Sequence, residues 1–253
     1  MPEFALSACI EMAITDGSYP ERVHTAAEAG ADAVEIWGHE DKDLDALTDA
    51  CDEAGVDLVG MVGSGAPLVD PEGTAAAVAD IRDSIEVAAE YDVPTLIVTV
   101  GQELDEYGRA TQHAAIVDAL STVASDAEAA DVTLVVEPLN TAVDHQGYFL
   151  AESAEAFEIL REVDSPAVEL LYDVYHQQIT EGNIIDTLTE NIDLVGHVHF
   201  ADVPGRQEPG MGELNYENIF AALAETDYDG AVGGEYAPTV DETTAFERVA
   251  DLL

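Results

Sequence analysis

The chain has few positive charges and few cysteines. Seven lysine and arginine residues stand against 54 aspartates and glutamates among 253 residues, and Lys42 is the only lysine. The two cysteines, Cys9 and Cys51, form no CxxC pair, which argues against a disulfide framework and predicts a reduced, cytoplasmic protein. No segment approaches the roughly 18 consecutive apolar residues of a membrane span. No basic region followed by an apolar run indicates a secretory signal.

The scarcity of positive charge also bears on partners and environment. Nucleic-acid binding relies on clustered lysine and arginine, and these residues are scattered here, so no nucleic-acid partner is predicted. The net charge is −47, yet the acidic residues are spread over the predicted helices beside 47% of hydrophobic residues. This pattern predicts a folded protein from a halophile, because salt near 1 M shortens the Debye length to about 3 Å and screens the repulsion.

Short apolar runs typical of strands alternate with alanine-rich segments whose apolar residues recur every three or four positions, as in helices. The predicted strands cover residues 4–12, 33–37, 57–62, 95–100, 133–139, 168–175, 194–200 and 230–236. Eight such units predict an α/β fold, a (β/α)8 TIM barrel formed by a single domain over residues 1–253. An open doubly wound sheet is the competing architecture, but the sequence has no GxGxxG or Walker motif.

Four successive predicted strands end in side chains that can bind metals. Glu137, Asp173, His199 and Glu235 follow one another at about the length of one strand–helix unit, and such barrels carry their chemistry at the carboxyl ends of strands. Three converging carboxylates with no lysine or arginine among them would repel one another and raise their pKa values. The sequence therefore predicts a divalent metal site whose oxygen-rich ligands suit Mn²⁺ or Mg²⁺ and also admit Co²⁺.

Further polar side chains are predicted near the same barrel mouth. His197 shares a strand face with His199 because side chains repeat every two residues. It is therefore expected one layer deeper, as a neighbour of the ligand or a substrate contact, with a structural role left open. Residues in and just after strand two are candidates to line the pocket: Glu35, Trp37 and His39.

The segment after strand seven is rich in glycine and proline and carries Arg206. In a barrel this segment lies over the mouth. A guanidinium group binds a carboxylate or hydroxyl groups in a two-pronged manner. Arg206 is therefore predicted to bind the substrate.

Distinctive motifs occupy the second half of the chain: Val136-Glu137-Pro138-Leu139-Asn140, Tyr172-Asp173-Val174-Tyr175-His176, His197-Val198-His199, Gly205-Arg206-Gln207-Glu208-Pro209-Gly210 and Gly212-Glu213-Leu214-Asn215-Tyr216. Together they resemble the hydroxypyruvate isomerase family of the xylose isomerase-like barrel superfamily. The resemblance implies that the four strand-end residues bind the metal and that Glu137 and Glu235 also form the acid/base pair. It further implies that His176 and Arg206 contact the substrate oxygens.

The resemblance implies a metal-dependent isomerase of a small sugar or keto acid, most specifically one that interconverts hydroxypyruvate and tartronate semialdehyde. The chain departs from the family at two places. His199 stands where hydroxypyruvate isomerases usually carry Gln and ketose 3-epimerases carry His, and the loop at 63–67 lacks a longer sequence found in the family. A ketose 3-epimerase or a 2-oxo-tetronate isomerase is therefore the alternative, followed by an inosose-type dehydratase.

Two other classes of function fit less well. An abasic-site endonuclease of the same barrel type would need more histidine ligands and a basic surface, neither of which is evident. A non-catalytic metal- or sugar-binding barrel would lose no activity when Glu137 is replaced. A homo-oligomer is left open by the sequence.

Overall fold

A computed structural model describes residues 4–252 and shows a closed barrel of eight parallel strands, in which each strand pairs with its chain neighbours and β1 pairs with β8. The strands are β1 Ala5–Cys9, β2 Ala33–Ile36, β3 Asp57–Ser64, β4 Thr95–Val98, β5 Thr133–Val136, β6 Val168–Asp173, β7 Val195–Phe200 and β8 Ala231–Gly234. This confirms the predicted (β/α)8 TIM barrel. Residues 1–3 and 253 of the predicted domain lie outside the described residues.

Helices connect the strands around the barrel. Within the described residues they are α1 Tyr19–Glu28, α2 Leu44–Ala54, α3 Thr74–Glu90, α4 Arg109–Ala130, α5 Ser153–Val163, α6 Val174–Thr180, α7 Ile184–Glu190, α8 Tyr216–Leu223 and α9 Glu242–Ala250, with a 3₁₀ helix at Ile192–Leu194. Local chemistry sets their ends, as in α2. Its start is capped by the Asp43 carboxylate, and it ends at Gly55, whose φ of 74° favours glycine. No helix within residues 4–252 is long and apolar enough to cross a membrane.

The barrel interior has an apolar half and a polar half. On the side of β4, β5 and β6 it holds the apolar cluster of Ile97, Val135 and Leu171. On the opposite side, the buried side chains of Glu35 from β2 and His197 from β7 meet at 2.8 Å. Buried polar groups need hydrogen-bond partners, so the polar half is where this fold accommodates charged side chains.

The strand register brings the candidate metal ligands to one level. Asp173 pairs with His199 across β6 and β7, and His199 pairs with Gly233 across β7 and β8. Glu137 follows directly after β5, and Glu235 follows directly after β8. The carboxyl ends of four adjacent strands therefore converge at one side of the barrel mouth.

Strand six is shorter than predicted. The sequence pattern indicated a strand over 168–175, but β6 ends at Asp173 and α6 begins at Val174 with no loop between them. The Asp173 carboxylate accepts hydrogen bonds from the backbone N–H groups of Tyr175 at 2.7 Å and His176 at 3.2 Å, as an N-cap does. The apolar residues after Asp173 therefore belong to the buried first turn of a helix.

Candidate metal centre

Four side chains meet at the carboxyl ends of β5, β6, β7 and β8. We call them the ligand cluster: Glu137, Asp173, His199 and Glu235. Each of them offers one ligand atom, and these atoms all lie within 4.8 Å of one another. The four residues are almost entirely buried, and Glu235 is the most exposed at 9%. The structure thus brings together all four residues that the sequence predicted as metal ligands.

The ligand cluster contains buried atoms that lack hydrogen-bond partners. Across residues 4–252, neither Oε1 of Glu137 nor Nδ1 of His199 has a partner. These two atoms lie 3.9 Å apart, and Nδ1 of His199 lies 3.6 Å from Oε2 of Glu235, which is too long for a hydrogen bond. Unpaired buried polar atoms are destabilising, and an oxygen-rich set with one imidazole suits divalent cations. The residues present therefore fit a divalent metal ion.

The two carboxylate oxygens of Asp173 have different roles. Oδ1 caps α6. Oδ2 lies 3.6 Å from Nε2 of His176 and 3.9 Å from the guanidinium of Arg206. The cap fixes the direction of the carboxylate and leaves Oδ2 facing the other ligand atoms.

The neighbour Asn140 determines which nitrogen of His176 carries a proton. The backbone N–H of Asn140 donates to Nδ1 of His176 at 3.2 Å, and the Asn140 side-chain amide lies 2.7 Å from the same nitrogen. Because a backbone N–H can only donate, Nδ1 accepts and the proton sits on Nε2. That Nε2 is buried, has no hydrogen-bond partner among the described residues and lies beside the ligand cluster. His176 therefore presents an N–H donor to the site.

Arg206 lies directly against the ligand cluster. Its guanidinium pairs with the carboxylate of Glu235, and its Nε lies 3.3 Å from the carbonyl oxygen of that residue. The guanidinium carbon also lies 5.3 Å from the ring centroid of Tyr175. The expectation that no lysine or arginine stands among the carboxylates is therefore wrong. One guanidinium stands beside three carboxyl groups, so Arg206 alone cannot neutralise the cluster when all three are ionised.

The loop that carries Arg206 is built around the buried carboxylate of Asp202. This carboxylate accepts hydrogen bonds of 2.7 to 3.1 Å from the backbone N–H groups of Val203, Gly210, Gly212 and Leu214. Glu208 in the same loop bonds Thr239 at 2.6 and 2.8 Å, which ties the loop to the segment after β8. The loop thus positions Arg206 through contacts of its own.

Comparison with known proteins places this geometry in a family. Residues 23–253 match the family described as Xylose isomerase-like TIM barrel. The chain belongs to that family. It is 34% identical over 251 residues to a 2-oxo-tetronate isomerase from Cupriavidus necator, covering 94% of each chain. It is 32% identical over 163 residues to a hydroxypyruvate isomerase from Escherichia coli, covering 63% of each. The crystal structure of an AP endonuclease, family 2, from Brucella melitensis is similar with a TM-score of 0.85, 28% identity and 99% of both chains covered.

In this member of the xylose isomerase-like family, the three candidates in and just after strand two have different surroundings. Glu35 is buried inside the barrel against the histidines of β7. The indole N–H of Trp37 donates to Oε1 of Glu235 at 2.8 Å, and 44% of Trp37 remains exposed. His39 lies against α3, with Nε2 3.4 Å from Oγ of Ser84. That His39 lines the pocket therefore stays a prediction.

The two carboxyl groups predicted as acid and base have opposite pKa shifts. Burial raises the pKa of Glu137, and the charge of Glu235 adds to the effect, against the lowering effect of His199. Burial also acts to raise the pKa of Glu235, but His199 and Arg206 outweigh it and lower that pKa below its ordinary value. Two adjacent carboxyl groups in different protonation states are suited to acid/base chemistry.

The sequence did not predict the contacts that hold Trp37 in place. The side chain of Lys42 is only 3% exposed, and its Nζ lies 3.2 Å from Oε1 of Glu11. The other oxygen of Glu11 accepts the backbone N–H of Trp37. The signal available in the sequence was the presence of a single lysine in so acidic a chain.

Proposed function

We propose that this protein is a divalent-metal-dependent isomerase that moves a proton between adjacent carbons of a small keto acid or sugar. The ligand cluster carries the proposal, because it combines two carboxyl groups of opposite pKa shift with partner-free ligand atoms at the barrel mouth. The printed names of relatives, hydroxypyruvate isomerase and 2-oxo-tetronate isomerase, support this class of reaction. The specific reaction proposed is the interconversion of hydroxypyruvate and tartronate semialdehyde.

The four residues of the ligand cluster would hold Mn²⁺ or Mg²⁺, since oxygen-rich sets suit these ions. When bound, the metal supplies Lewis-acid stabilisation of the negative charge that develops on the substrate oxygens. The excess of carboxylates over the single guanidinium favours binding of a cation at this position.

Proton transfer is assigned to Glu137 and Glu235. The carbon-bound hydrogen next to a carbonyl is weakly acidic, so its removal needs a positioned base, and its return at the neighbouring carbon needs a positioned acid. The opposite pKa shifts of the two groups show that their surroundings differ before a cation binds. A bound cation would favour the ionised form of both, so that one carboxylate removes the proton as a base and a protonated carboxyl then returns it as the acid.

His176 and Arg206 are assigned to the substrate. The Nε2–H of His176 has no partner among residues 4–252 and is directed toward the ligand cluster, where it can donate to a substrate hydroxyl or carbonyl oxygen. Arg206 already binds a carboxylate, that of Glu235. A keto-acid substrate offers this guanidinium a second carboxylate. An anionic keto acid therefore fits the site better than a neutral ketose, which keeps the ketose 3-epimerase in second place.

Endonuclease activity on DNA fits the chain poorly, although the Brucella melitensis protein of similar fold is named an AP endonuclease. Binding to the phosphate backbone requires clustered cations. The net charge is −47, and the seven lysine and arginine residues are scattered along the chain. The electrostatic field of this protein therefore repels nucleic acid.

The proposal is tested by an isomerase assay in molar KCl on hydroxypyruvate, 2-oxo-tetronates and ketoses, before and after removal of metal with EDTA and replacement with Mn²⁺. Hydroxypyruvate is expected to turn over only with metal present. Glu137→Gln and Glu235→Gln should each lower kcat by about 10²- to 10⁴-fold, the contribution of a positioned acid or base. Glu86→Gln, on the exposed face of α3, is the matched control and should keep wild-type activity.

Metal binding is measured separately through Trp37, the single tryptophan. Because its indole nitrogen lies 2.8 Å from Oε1 of Glu235, Mn²⁺ should quench its fluorescence in the wild-type protein. The proposed function would be contradicted if the metal-loaded protein converted none of these substrates. Full activity after EDTA treatment would also contradict it.

A further inference from the structure

One carboxylate oxygen inside the barrel joins both histidines of β7. Oε2 of Glu35 lies 2.8 Å from Nε2 of His197 and 3.1 Å from Nε2 of His199. All three residues are at least 98% buried. Glu35 belongs to β2, and β1 and β8 lie between β2 and β7 in the barrel. The contact therefore spans the barrel interior and links a residue outside the ligand cluster to a member of it.

A glycine provides the space for this contact. A Cβ atom at Gly233 would lie 2.1 Å from Oε1 of Glu35 and 2.8 Å from Cδ2 of His199. Both distances are far below ordinary van der Waals contact, so no side chain fits at position 233 while the other two residues keep their places. The absence of a side chain on β8 at this level is therefore part of how Glu35 reaches His199.

The contact with Glu35 determines which nitrogen of His199 faces the ligand cluster. The two ring nitrogens of His199 face different groups: Nε2 lies 3.1 Å from Oε2 of Glu35, and Nδ1 is on the side of the ligand cluster. A neutral imidazole that binds a metal through Nδ1 carries its proton on Nε2, where the carboxylate oxygen of Glu35 accepts it. Nδ1 then faces Glu235 at 3.6 Å and Glu137 at 3.9 Å.

We propose that Glu35 is a positioning residue that holds His199 with its Nε2–H toward Glu35, so that Nδ1 is the metal-ligating atom. Histidine ligands of metals commonly donate their second ring N–H to a carboxylate, which fixes the orientation of the ring and increases its basicity. The inference rests on the metal-dependent function proposed above. His197 binds the same oxygen of Glu35 and thereby limits the movement of that carboxylate.

Mn²⁺ affinity in a double-mutant cycle tests the coupling between Glu35 and His199. Glu35→Gln in the wild-type background should weaken Mn²⁺ binding about 10- to 100-fold, the range measured for carboxylates that support a ligating histidine. In a His199→Gln background, Glu35→Gln should change the affinity less than about twofold, because the group through which it acts is gone. His197→Gln is the comparison variant, because it removes a partner of Glu35 and leaves the contact with His199.

A second experiment determines which nitrogen of His199 binds the metal and does not depend on the Glu35 variant. It is nuclear magnetic resonance of the zinc-loaded wild-type protein with ¹⁵N-labelled histidine. The chain has seven histidines, and the His199 signals are those missing from His199→Gln. The expected pattern is a protonated Nε2 and a metal-bound Nδ1.

The outcomes separate the two proposals. Failure of the wild-type protein to bind Mn²⁺ overturns the metal-dependent function. Four results would overturn the role of Glu35 alone. Two concern Mn²⁺ affinity: normal affinity in Glu35→Gln, or an equal loss of affinity in the wild-type and His199→Gln backgrounds. The other two are binding of two metal ions per chain and ligation of the metal through Nε2 of His199.

Discussion

Individual carboxyl groups in this barrel differ in chemistry because their neighbours differ. Glu35 meets two imidazoles, which lower its pKa against the effect of burial. Glu169 lies at the start of β6, at the opposite end of the barrel from the ligand cluster. There, burial and the charge of Asp229 both raise its pKa. The same residue type therefore serves as a hydrogen-bond acceptor at one end of the barrel and is a source of instability at the other.

Glu169→Gln is expected to stabilise the protein at neutral and alkaline pH. A carboxyl group whose pKa is raised on folding favours the folded state below its unfolded pKa of about 4, and this contribution is lost as the pH rises through the folded pKa. The amide does not ionise, so the gain in free energy of unfolding should be larger at about pH 8 than at about pH 4. Urea denaturation at both pH values measures it.

The control for this experiment is Glu86→Gln, which removes the same charge from the exposed face of α3. If Glu169→Gln raises the free energy of unfolding at alkaline pH no more than Glu86→Gln does, the reduced net charge is responsible and the burial of Glu169 is not.

The sequence predicted the members of the ligand cluster because each of them ends a strand of a recognisable repeat. Contacts across the barrel are not encoded in this way. Glu35 and His199 are 164 positions apart, and Trp37 and Glu235 are 198 apart. Strand periodicity shows that such side chains face inward, but only the closed barrel shows which of them meet. For this reason Glu35 and Trp37 were predicted as pocket residues without their partners.

At the level of structural elements, the loop between β7 and α8 depends on close approach of its own backbone. A Cβ atom at Gly212 would lie 2.1 Å from the carbonyl oxygen of Val203 and 2.5 Å from Oδ1 of Asp202. Asp202 is the acceptor that organises the loop. The loop in turn carries Arg206 to the ligand cluster.

We therefore expect Gly212→Ala to reduce kcat/KM without unfolding the barrel. Displacing a substrate-positioning group by about 1 Å can lower activity on the order of 100-fold, and the added methyl group must move the loop by more than that. Steady-state kinetics and thermal unfolding measure the two effects. Gly108→Ala is the matched control, because a Cβ atom at Gly108 meets nothing within 4 Å. Wild-type kcat/KM in Gly212→Ala would show that the loop does not position Arg206 for substrate.

Element boundaries were harder to predict than the elements themselves. The mainly apolar stretch that begins at Val168 resumes after Asp173 with Val174 and Tyr175, so hydrophobicity could not show that the strand stops at Asp173. The cap formed by the Asp173 carboxylate ends the strand and starts α6. Because Asp173 also supplies an oxygen to the ligand cluster, one side chain sets both the boundary and part of the site.

At the scale of the whole molecule, a net charge of −47 surrounds an ordinary apolar core. Four of the seven cations are paired locally: Lys42 with Glu11, Arg82 with Asp126, Arg109 with Glu155, and Arg206 with Glu235. Because seven cations cannot neutralise 54 acidic residues, repulsion among the carboxylates favours the unfolded chain.

Salt should stabilise this protein. Between about 0.1 M and about 1 M, the Debye length falls from about 10 Å to about 3 Å, which removes most repulsion between exposed carboxylates. We expect the melting temperature to rise over this range of KCl. NaCl at the same ionic strength should raise it equally, since screening does not depend on the identity of the cation. A melting temperature that does not change with salt would contradict this account of the surface.

The pairing of Ala5–Ala8 of β1 with Ala231–Gly234 of β8 also sets the order in which the site is assembled. The ligand cluster comes from the second half of the chain, while Glu35 and Trp37 come from β2 and reach it only across the closed barrel. During synthesis, residues 5–8 have no β8 to pair with until residues 231–234 leave the ribosome. The contacts of the ligand cluster with Glu35 and Trp37 are therefore completed in the same step that closes the barrel, so an incompletely synthesised chain carries these carboxylates before their partners are in place.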